Sequence, residues 1–266
     1  MKTLVTPGSL KANKQFLDGL YGTKEFETCL DANPSDHDVI ILGNDILDKQ
    51  MIDKFSNLKM VMRFGVGLDN VDTAYLSEKN IQLEVCENCA SIPIAYYVLS
   101  YAMYYGRGLD AVDDKTIPKE PCEMTAGIVG MGSTGAATAK LMKEVGFNVL
   151  VSTRRDIPKV PLQTLLKESD VISVHLSLNN ETKDFLRGEH FALMKEGAIL
   201  VNVARREVVS DEILQFLGSI KHYICDFPND LFHERVVTTP HIAGRSIIST
   251  KRRAAIAVRT IHEKTL

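Results

Sequence analysis

The chain has 266 residues, 45% of them hydrophobic and 24% charged, with no long polar tract, which excludes a disordered, collagen-like or fibrous chain. Lys and Arg number 31 against 34 Asp and Glu, a formal net charge of −3 and a pI near 6.2, so the broad basic surface of a nucleic-acid binder is absent. No window approaches the roughly 18 apolar residues of a membrane helix, and Met1-Lys2-Thr3-Leu4-Val5-Thr6-Pro7 is too short an apolar run for a signal peptide, so a cytoplasmic protein is expected.

Short β-branched or apolar runs alternate with longer stretches of helical period, the pattern of βα units and parallel sheets. Strands are expected at residues 4–6, 39–42, 60–63 and 83–85, with helices around Phe16, over 46–55 and over 72–78. A long amphipathic stretch over 94–105 is opened by Pro93, a residue favoured at the first helical position. Residues 108–124 then read as a polar, proline-bearing loop. The second block has strands at 127–129, 149–151, 171–174, 198–201, 223–225 and 236–238, and the chain ends in a basic amphipathic helix over about 247–262. The break falls near residues 91–94. Two α/β domains are therefore expected, residues 1–92 completed by 243–266, and residues 93–242.

Five cysteines, Cys29, Cys86, Cys89, Cys122 and Cys225, form no even framework, so reduced thiols are expected. Cys86 and Cys89 make a C-x-x-C, but zinc would need a second ligand pair at workable spacing, and none follows. No metal site is expected.

The strand at 127–129 runs into Gly130-Met131-Gly132-Ser133-Thr134-Gly135 and then into a helical pattern, and a second strand closes the βαβ unit. This is the context in which G-x-G-x-x-G binds a dinucleotide: Gly130 for the tight turn, Gly132 for close approach of backbone to pyrophosphate, Gly135 for helix-on-strand packing. The helix N-terminus, with Met131, Ser133 and Thr134, presents N–H groups to the phosphates. Eighteen residues past Gly135, where an acidic residue would accept bonds from the ribose of NAD, the chain has Thr153-Arg154-Arg155. A hydroxyl and two guanidinium groups suit a 2′-phosphate, so NADP is favoured over NAD.

Three further stretches carry chemistry. Arg63-Phe64-Gly65-Val66-Gly67-Leu68-Asp69-Asn70-Val71-Asp72 follows a strand and precedes a capped helix, and its successive N–H groups can form an anion cradle. Arg205 follows an apolar strand and can grip a carboxylate as a planar fork while polarising a neighbouring carbonyl. His241, in Thr239-Pro240-His241-Ile242-Ala243-Gly244, has the chemistry of a general acid. His37, His175, His190, His222, His233 and His262 have no comparable setting.

With the glycine-rich turn, these stretches in this order resemble the D-isomer-specific 2-hydroxyacid dehydrogenase family, over about residues 59–244. The resemblance implies a Rossmann dinucleotide-binding domain and a flavodoxin-like substrate domain with a cleft between them. The implied reaction is NAD(P)-dependent reduction of a small 2-oxo acid to its D-2-hydroxy acid. It gives Arg205 and His241 the catalytic roles and lays the carboxylate that supports the histidine on Asp230, with Glu234 as runner-up. Asp226 falls where the family's aspartate meets the nicotinamide carboxamide, and Val66 and Gly67 where its loop grips the substrate carboxylate. A homodimer is implied, with no nucleic-acid or membrane partner. A dinucleotide-sensing binding protein on the same fold is the alternative, and a thiol or zinc protein using Cys86 and Cys89 a third reading.

The chain departs from the family in places. Residues 108–124, the segment after Arg155 and the end of the chain are short. Arg206-Glu207 replaces two small residues, where glycine can take a positive φ and arginine cannot do so cheaply. Tyr96 stands in place of a glutamate. Gly43-Asn44-Asp45 replaces the arginine that meets a substrate phosphate, which favours an unphosphorylated acid such as glyoxylate or hydroxypyruvate, with phosphoglycerate left open.

Overall fold

The computed structural model describes residues 3–6, 26–28, 34–110, 117–228 and 231–265; the expected helix around Phe16, Cys29 and Asp230 lie outside them. The chain divides into two compact units, Met1–Cys89 with Ser246–Leu266, and Ala90–Arg245.

In the first unit β1 (Thr3–Val5), β2 (Phe26–Thr28), β3 (Val39–Leu42), β4 (Met60–Arg63) and β5 (Gln82–Val85) form one parallel sheet in the order β2-β1-β3-β4-β5, the flavodoxin-like order. Side chains alternate between its faces, as strand geometry requires. Val39 and Ile41 pack with Met60 and Met62 against Ala254, Ala257 and Ile261 of the C-terminal helix Ile247–Thr265. The spacing of three and four puts those residues on one helix face. Ile40 and Leu42 turn the other way, onto Leu47, Ile52, Tyr75 and Leu76.

The helix expected over 46–55 is one turn, α1 (Lys49–Ile52). Leu47 is held in a bridge: its N–H donates to the Asn70 carbonyl and its carbonyl accepts from the Asp72 N–H. The chain can turn helical only after it, where Asp48 caps the turn by accepting from the Met51 N–H at 2.8 Å. Helix α2 (Thr73–Glu78) is capped in the same way by Asp72.

In the second unit β6 (Thr125–Val129), β7 (Asn148–Ser152), β8 (Val171–Val174), β9 (Ile199–Asn202), β10 (His222–Cys225) and β11 (Val236–Thr238) form a parallel sheet in the order β11-β10-β9-β8-β6-β7. Its helices are α3 (Ser91–Gly106), α4 (Ser133–Val145), α5 (Leu162–Glu168) and α6 (Gly188–Phe191). Ile172, Val174, Leu200, Tyr223 and Cys225 face Leu165, Phe191 and Ile213, while Val171, Ile199, Val201 and Ile224 face Val98, Ala102 and Met142. Pro93 sits third in α3, within the first turn, where its missing N–H has no intrahelical acceptor to lose.

Register aligns the ends of these strands. Val129 pairs with Ser152 and with Val174, Asn202 with Val174 and with Cys225, and Cys225 with Thr238. The residues that follow therefore emerge along one sheet edge, and strand order reverses between β6 and β8, where open α/β sheets bind ligands. Among the described residues no helix is long and apolar enough to cross a membrane, and no group of three or more His, Cys, Asp or Glu side chains could hold a metal.

The glycines at this edge differ in what they tolerate. Gly130 has φ +94°, and a Cβ there would lie 2.7 Å from the His175 carbonyl oxygen, whereas a Cβ on Gly132 meets nothing within 4 Å. Gly130→Ala is expected to cost about 2–3 kcal/mol, lowering the melting temperature by roughly 5–10 °C. Gly132→Ala should leave it within about 2 °C. Circular dichroism melts check both, and an unchanged melt for Gly130→Ala would contradict the left-handed turn.

Candidate active site

The glycine-rich turn fits a dinucleotide. Gly130 starts it in the left-handed region, and Gly132 caps α4 without any side-chain hydrogen bond. The N–H groups of the first helical turn thus keep their capacity for an anion. Beneath lies His175, which sequence reasoning set aside. It is buried, its Nε2 pairs with Ser173 Oγ at 3.0 Å, and its Nδ1 has no partner among the described residues. Burial pushes its pKa down to about 3, so it is a neutral imidazole packed under Gly130 and Gly135.

At the end of β7, Thr153 Oγ1 accepts from the Arg155 N–H at 3.2 Å. Arg154 Nη1 donates to Glu181 Oε2 at 2.6 Å, both side chains being exposed. Glu181 is held on a tight turn: Asn179 Oδ1 accepts from the N–H groups of Glu181 and Thr182, and the Thr182 hydroxyl donates to the Ser177 carbonyl at 2.6 Å. The basic pair after the strand therefore comes with an acidic neighbour 27 residues away, which no local reading could supply.

Arg205 is set by Asn202, the buried polar residue that ends the apolar strand β9. Asn202 Nδ2 donates to the Arg205 carbonyl at 2.9 Å, and its Oδ1 accepts from the Ala204 N–H at 3.0 Å, closing the turn on itself. Arg205 is half-buried in extended backbone, and its Nη1 donates to the Ala204 carbonyl at 2.9 Å. Arg206 needs no positive φ: Arg206–Val208 form a 3-10 turn, and Arg206 pairs with Asp211 at 3.0 Å. The two small residues of the family are thus replaced by a right-handed turn that side chains tolerate.

His241 is one of few described non-glycine residues in the left-handed region, at φ +55°. Such a conformation costs about 1 kcal/mol or more and persists only where neighbours impose it. Here the neighbour is Asp226, 4% exposed. Its carboxylate accepts from the Thr239 hydroxyl at 2.6 Å and from the N–H groups of Ile242 and Ala243, each at 2.7 Å. Its carbonyl oxygen lies 3.1 Å from His241 Nδ1. A carbonyl can only accept, so Nδ1 carries the proton and the ring is oriented from that side. Tyr97 Oη lies 2.7 Å from Thr239 Oγ1, and burial raises the Tyr97 phenol above its usual range.

These contacts change the sequence reading of Asp226, whose carboxylate is engaged with the chain's own 239–243 turn. The backbone carbonyl of Asp226 meets His241 Nδ1, where a carboxylate on Asp230 or Glu234 was expected. Glu234 is exposed, and Asp230 lies outside the described residues.

In the first unit Gly65, Val66 and Gly67 bend over the buried Arg63, whose Nε donates to the Gly67 carbonyl at 2.9 Å and Nη1 to that of Leu42 at 3.3 Å. A Cβ on Gly65 would lie 3.3 Å from Arg63 Nη1. Neither glycine takes a positive φ, so the cradle is a bend backed by a guanidinium and not an αR–αL nest. Cys86 and Cys89 lie in the same unit's core, and burial pushes the Cys86 thiol up to about 12, so it is an inert core thiol.

Residues 106–243 match the NAD-binding domain, and residues 11–163 the catalytic domain, of the D-isomer specific 2-hydroxyacid dehydrogenases. The chain is 30% identical to the hydroxypyruvate reductase of Thermotoga maritima over 236 residues, 77% of each chain. It is 27% identical to the glyoxylate reductase of Thermofilum pendens, covering 86% of this chain and 78% of that one. The fold also matches the D-lactate dehydrogenase of Aquifex aeolicus, with a TM-score of 0.83 at 21% identity over 99% of this chain and 95% of that one. Sheet order, glycine turn and domain matches together place the chain in the D-isomer specific 2-hydroxyacid dehydrogenase family, oxidoreductases that act on the CH–OH group of 2-hydroxy acids with a nicotinamide dinucleotide.

Proposed function

We propose that this enzyme reduces a small unphosphorylated 2-oxo acid, of the glyoxylate or hydroxypyruvate kind, to its D-2-hydroxy acid, with NADPH favoured over NADH. The His241 turn carries the reading: Nδ1 is committed to a carbonyl, and Nε2 has no partner among the described residues. An imidazole held in that way can give a proton from Nε2. The names of the Thermotoga and Thermofilum relatives support the substrate class, and Asn44-Asp45 after β3 disfavours a phosphorylated acid.

The reduced nicotinamide, when bound, supplies the hydride to the oxo carbon. The protein does the rest. Gly130, Gly132 and Gly135, with the N–H groups of Met131, Ser133 and Thr134, hold the pyrophosphate. Thr153, Arg154 and Arg155 receive the 2′-phosphate, and Asp226 shapes the turn at the nicotinamide end. Arg205 grips the substrate carboxylate and draws charge onto the carbonyl oxygen. His241 protonates that oxygen as charge develops, and Asp230 is assigned to stabilise the charged ring. In the first unit the N–H groups of Val66 and Gly67 are assigned to the carboxylate.

The test is absorbance-monitored oxidation of NADPH and NADH with glyoxylate, hydroxypyruvate and phosphohydroxypyruvate. His241→Asn and Arg205→Ala should each lower kcat at least about 100-fold, with dinucleotide affinity by fluorescence titration within about twofold. Turnover at the native rate in His241→Asn would reject the mechanism. Thr153→Asp combined with Arg154→Ala should move the ratio of kcat/KM for NADPH over NADH by about tenfold or more towards NADH. An unmoved ratio would reject the cofactor assignment.

The same reading includes a homodimer. Helix α3 carries no charged residue and exposes Ile92, Tyr96 and Tyr104 at its first, second and fourth turns, an apolar stripe of the kind that subunits cover. Sedimentation should give about twice the 29.6 kDa of one chain. Tyr96→Asp should shift the population towards monomer; a native monomer would refute the assignment.

A further inference from the structure

Three polar side chains meet behind the His241 turn, and their hydrogens can be assigned. The Asp226 carboxylate only accepts, so the Thr239 hydroxyl donates to Oδ1 at 2.6 Å. That spends the one Thr239 proton. In the 2.7 Å bond between Tyr97 Oη and Thr239 Oγ1 the tyrosine must therefore be the donor. The relay runs Tyr97 to Thr239 to Asp226, and Asp226 distributes it to the Ile242 and Ala243 N–H groups and, through its carbonyl, to His241 Nδ1.

We propose that Tyr97 and Thr239 are positioning residues for His241, holding it through Asp226 in the left-handed conformation that aims Nε2 outward; this rests on the reading of His241 as the proton donor. Four elements supply the parts: Tyr97 from α3, Asp226 from the end of β10, Thr239 from the end of β11, and His241 from the turn after it. The strain at φ +55° gives the turn a reason to relax when the clamp weakens. Without the Tyr97 proton the Thr239 oxygen loses the donor that fixes its rotamer and polarises its hydroxyl, so the bond from Thr239 to Oδ1 is weaker and less firmly held. The carboxylate then holds the turn less rigidly, and the ring is freer to leave the Asp226 carbonyl. Among the described residues Tyr97 makes no hydrogen bond or ring contact with His241 or with the glycine-rich turn, so its loss should spare cofactor binding.

The proposal is tested on the whole chain with Tyr97→Phe, Thr239→Val and Thr239→Ser, beside His241→Asn. In the unliganded protein with ring-15N histidine, the His241 signal, assigned by its disappearance in His241→Asn, should show a proton on Nδ1. Its exchange with solvent should quicken at least about tenfold in Tyr97→Phe and Thr239→Val, and Thr239→Ser should recover most of the native protection. In the oxo-acid assay kcat should fall about tenfold in Tyr97→Phe and Thr239→Val with KM for the dinucleotide within about twofold. The double variant should be no slower than Thr239→Val alone, since one relay is cut. Native exchange and native kcat in Tyr97→Phe, or losses that add in the double variant, would overturn the relay while His241→Asn remains inactive. Native turnover in His241→Asn would overturn the proton-donor reading and the positioning role with it.

Discussion

The buried carboxylate of Asp226 is the constraint on which the His241 turn of the second unit depends. Removing a carboxylate from water costs several kcal/mol unless its lone pairs are met, and here three donors meet them at 2.6–2.7 Å. Two are backbone N–H groups of the turn that carries His241. Satisfying the charge and shaping the turn are one event: the chain cannot place Ile242 and Ala243 over the carboxylate without bending sharply at His241. A left-handed histidine costs far less than an unsatisfied buried carboxylate, so the strain is tolerated.

That constraint works because of the sheet beneath it. A parallel sheet delivers the ends of its strands to one edge, and the register from Ser152 through Val129, Val174, Asn202 and Cys225 to Thr238 keeps that edge level. Gly130, Thr153, His175, Asp226 and Thr239 are each the first residue past a strand, and Arg205 is the third past β9. The strands alternate between two apolar layers, and the polar residues and the glycine turn lie just past their ends. Asn202 marks the change most sharply, as an amide after Ile199-Leu200-Val201 whose nitrogen and oxygen close the turn that presents Arg205.

Much of this was legible in the sequence, for a physical reason. Near-continuous apolar runs such as Val39-Ile40-Ile41-Leu42 and Val171-Ile172-Ser173-Val174 can satisfy two buried layers only as central parallel strands, and a glycine turn between strand and helix has few other uses. The edge strand Phe26–Thr28 escaped notice because three residues of mixed polarity carry no period. The helix expected over 46–55 shrank to one turn because Leu47 is claimed by a bridge to Val71, a long-range contact that outweighs local propensity. In the site, motif positions could be read but bonding partners could not. The group on His241 Nδ1 is a backbone carbonyl, which every residue possesses, and Tyr97 lies 142 residues from the hydroxyl it serves.

Cofactor choice shows how far local chemistry alone decides. Arg154 follows β7 as a 2′-phosphate would require, yet it is paired with Glu181, whose turn is fixed by Asn179 and Thr182. The pair is exposed on both sides, at 73% and 70%, and such pairs are worth between nothing and about 1 kcal/mol. A phosphate of nearly two charges, with three acceptor oxygens and Thr153 and Arg155 beside it, offers the guanidinium more than a solvated carboxylate does. Glu181 therefore does not bar the phosphate; it offsets part of the positive charge that would attract it. Under the proposed NADPH preference, discrimination between the two dinucleotides would rest on that difference, and it would fall as salt screens both interactions.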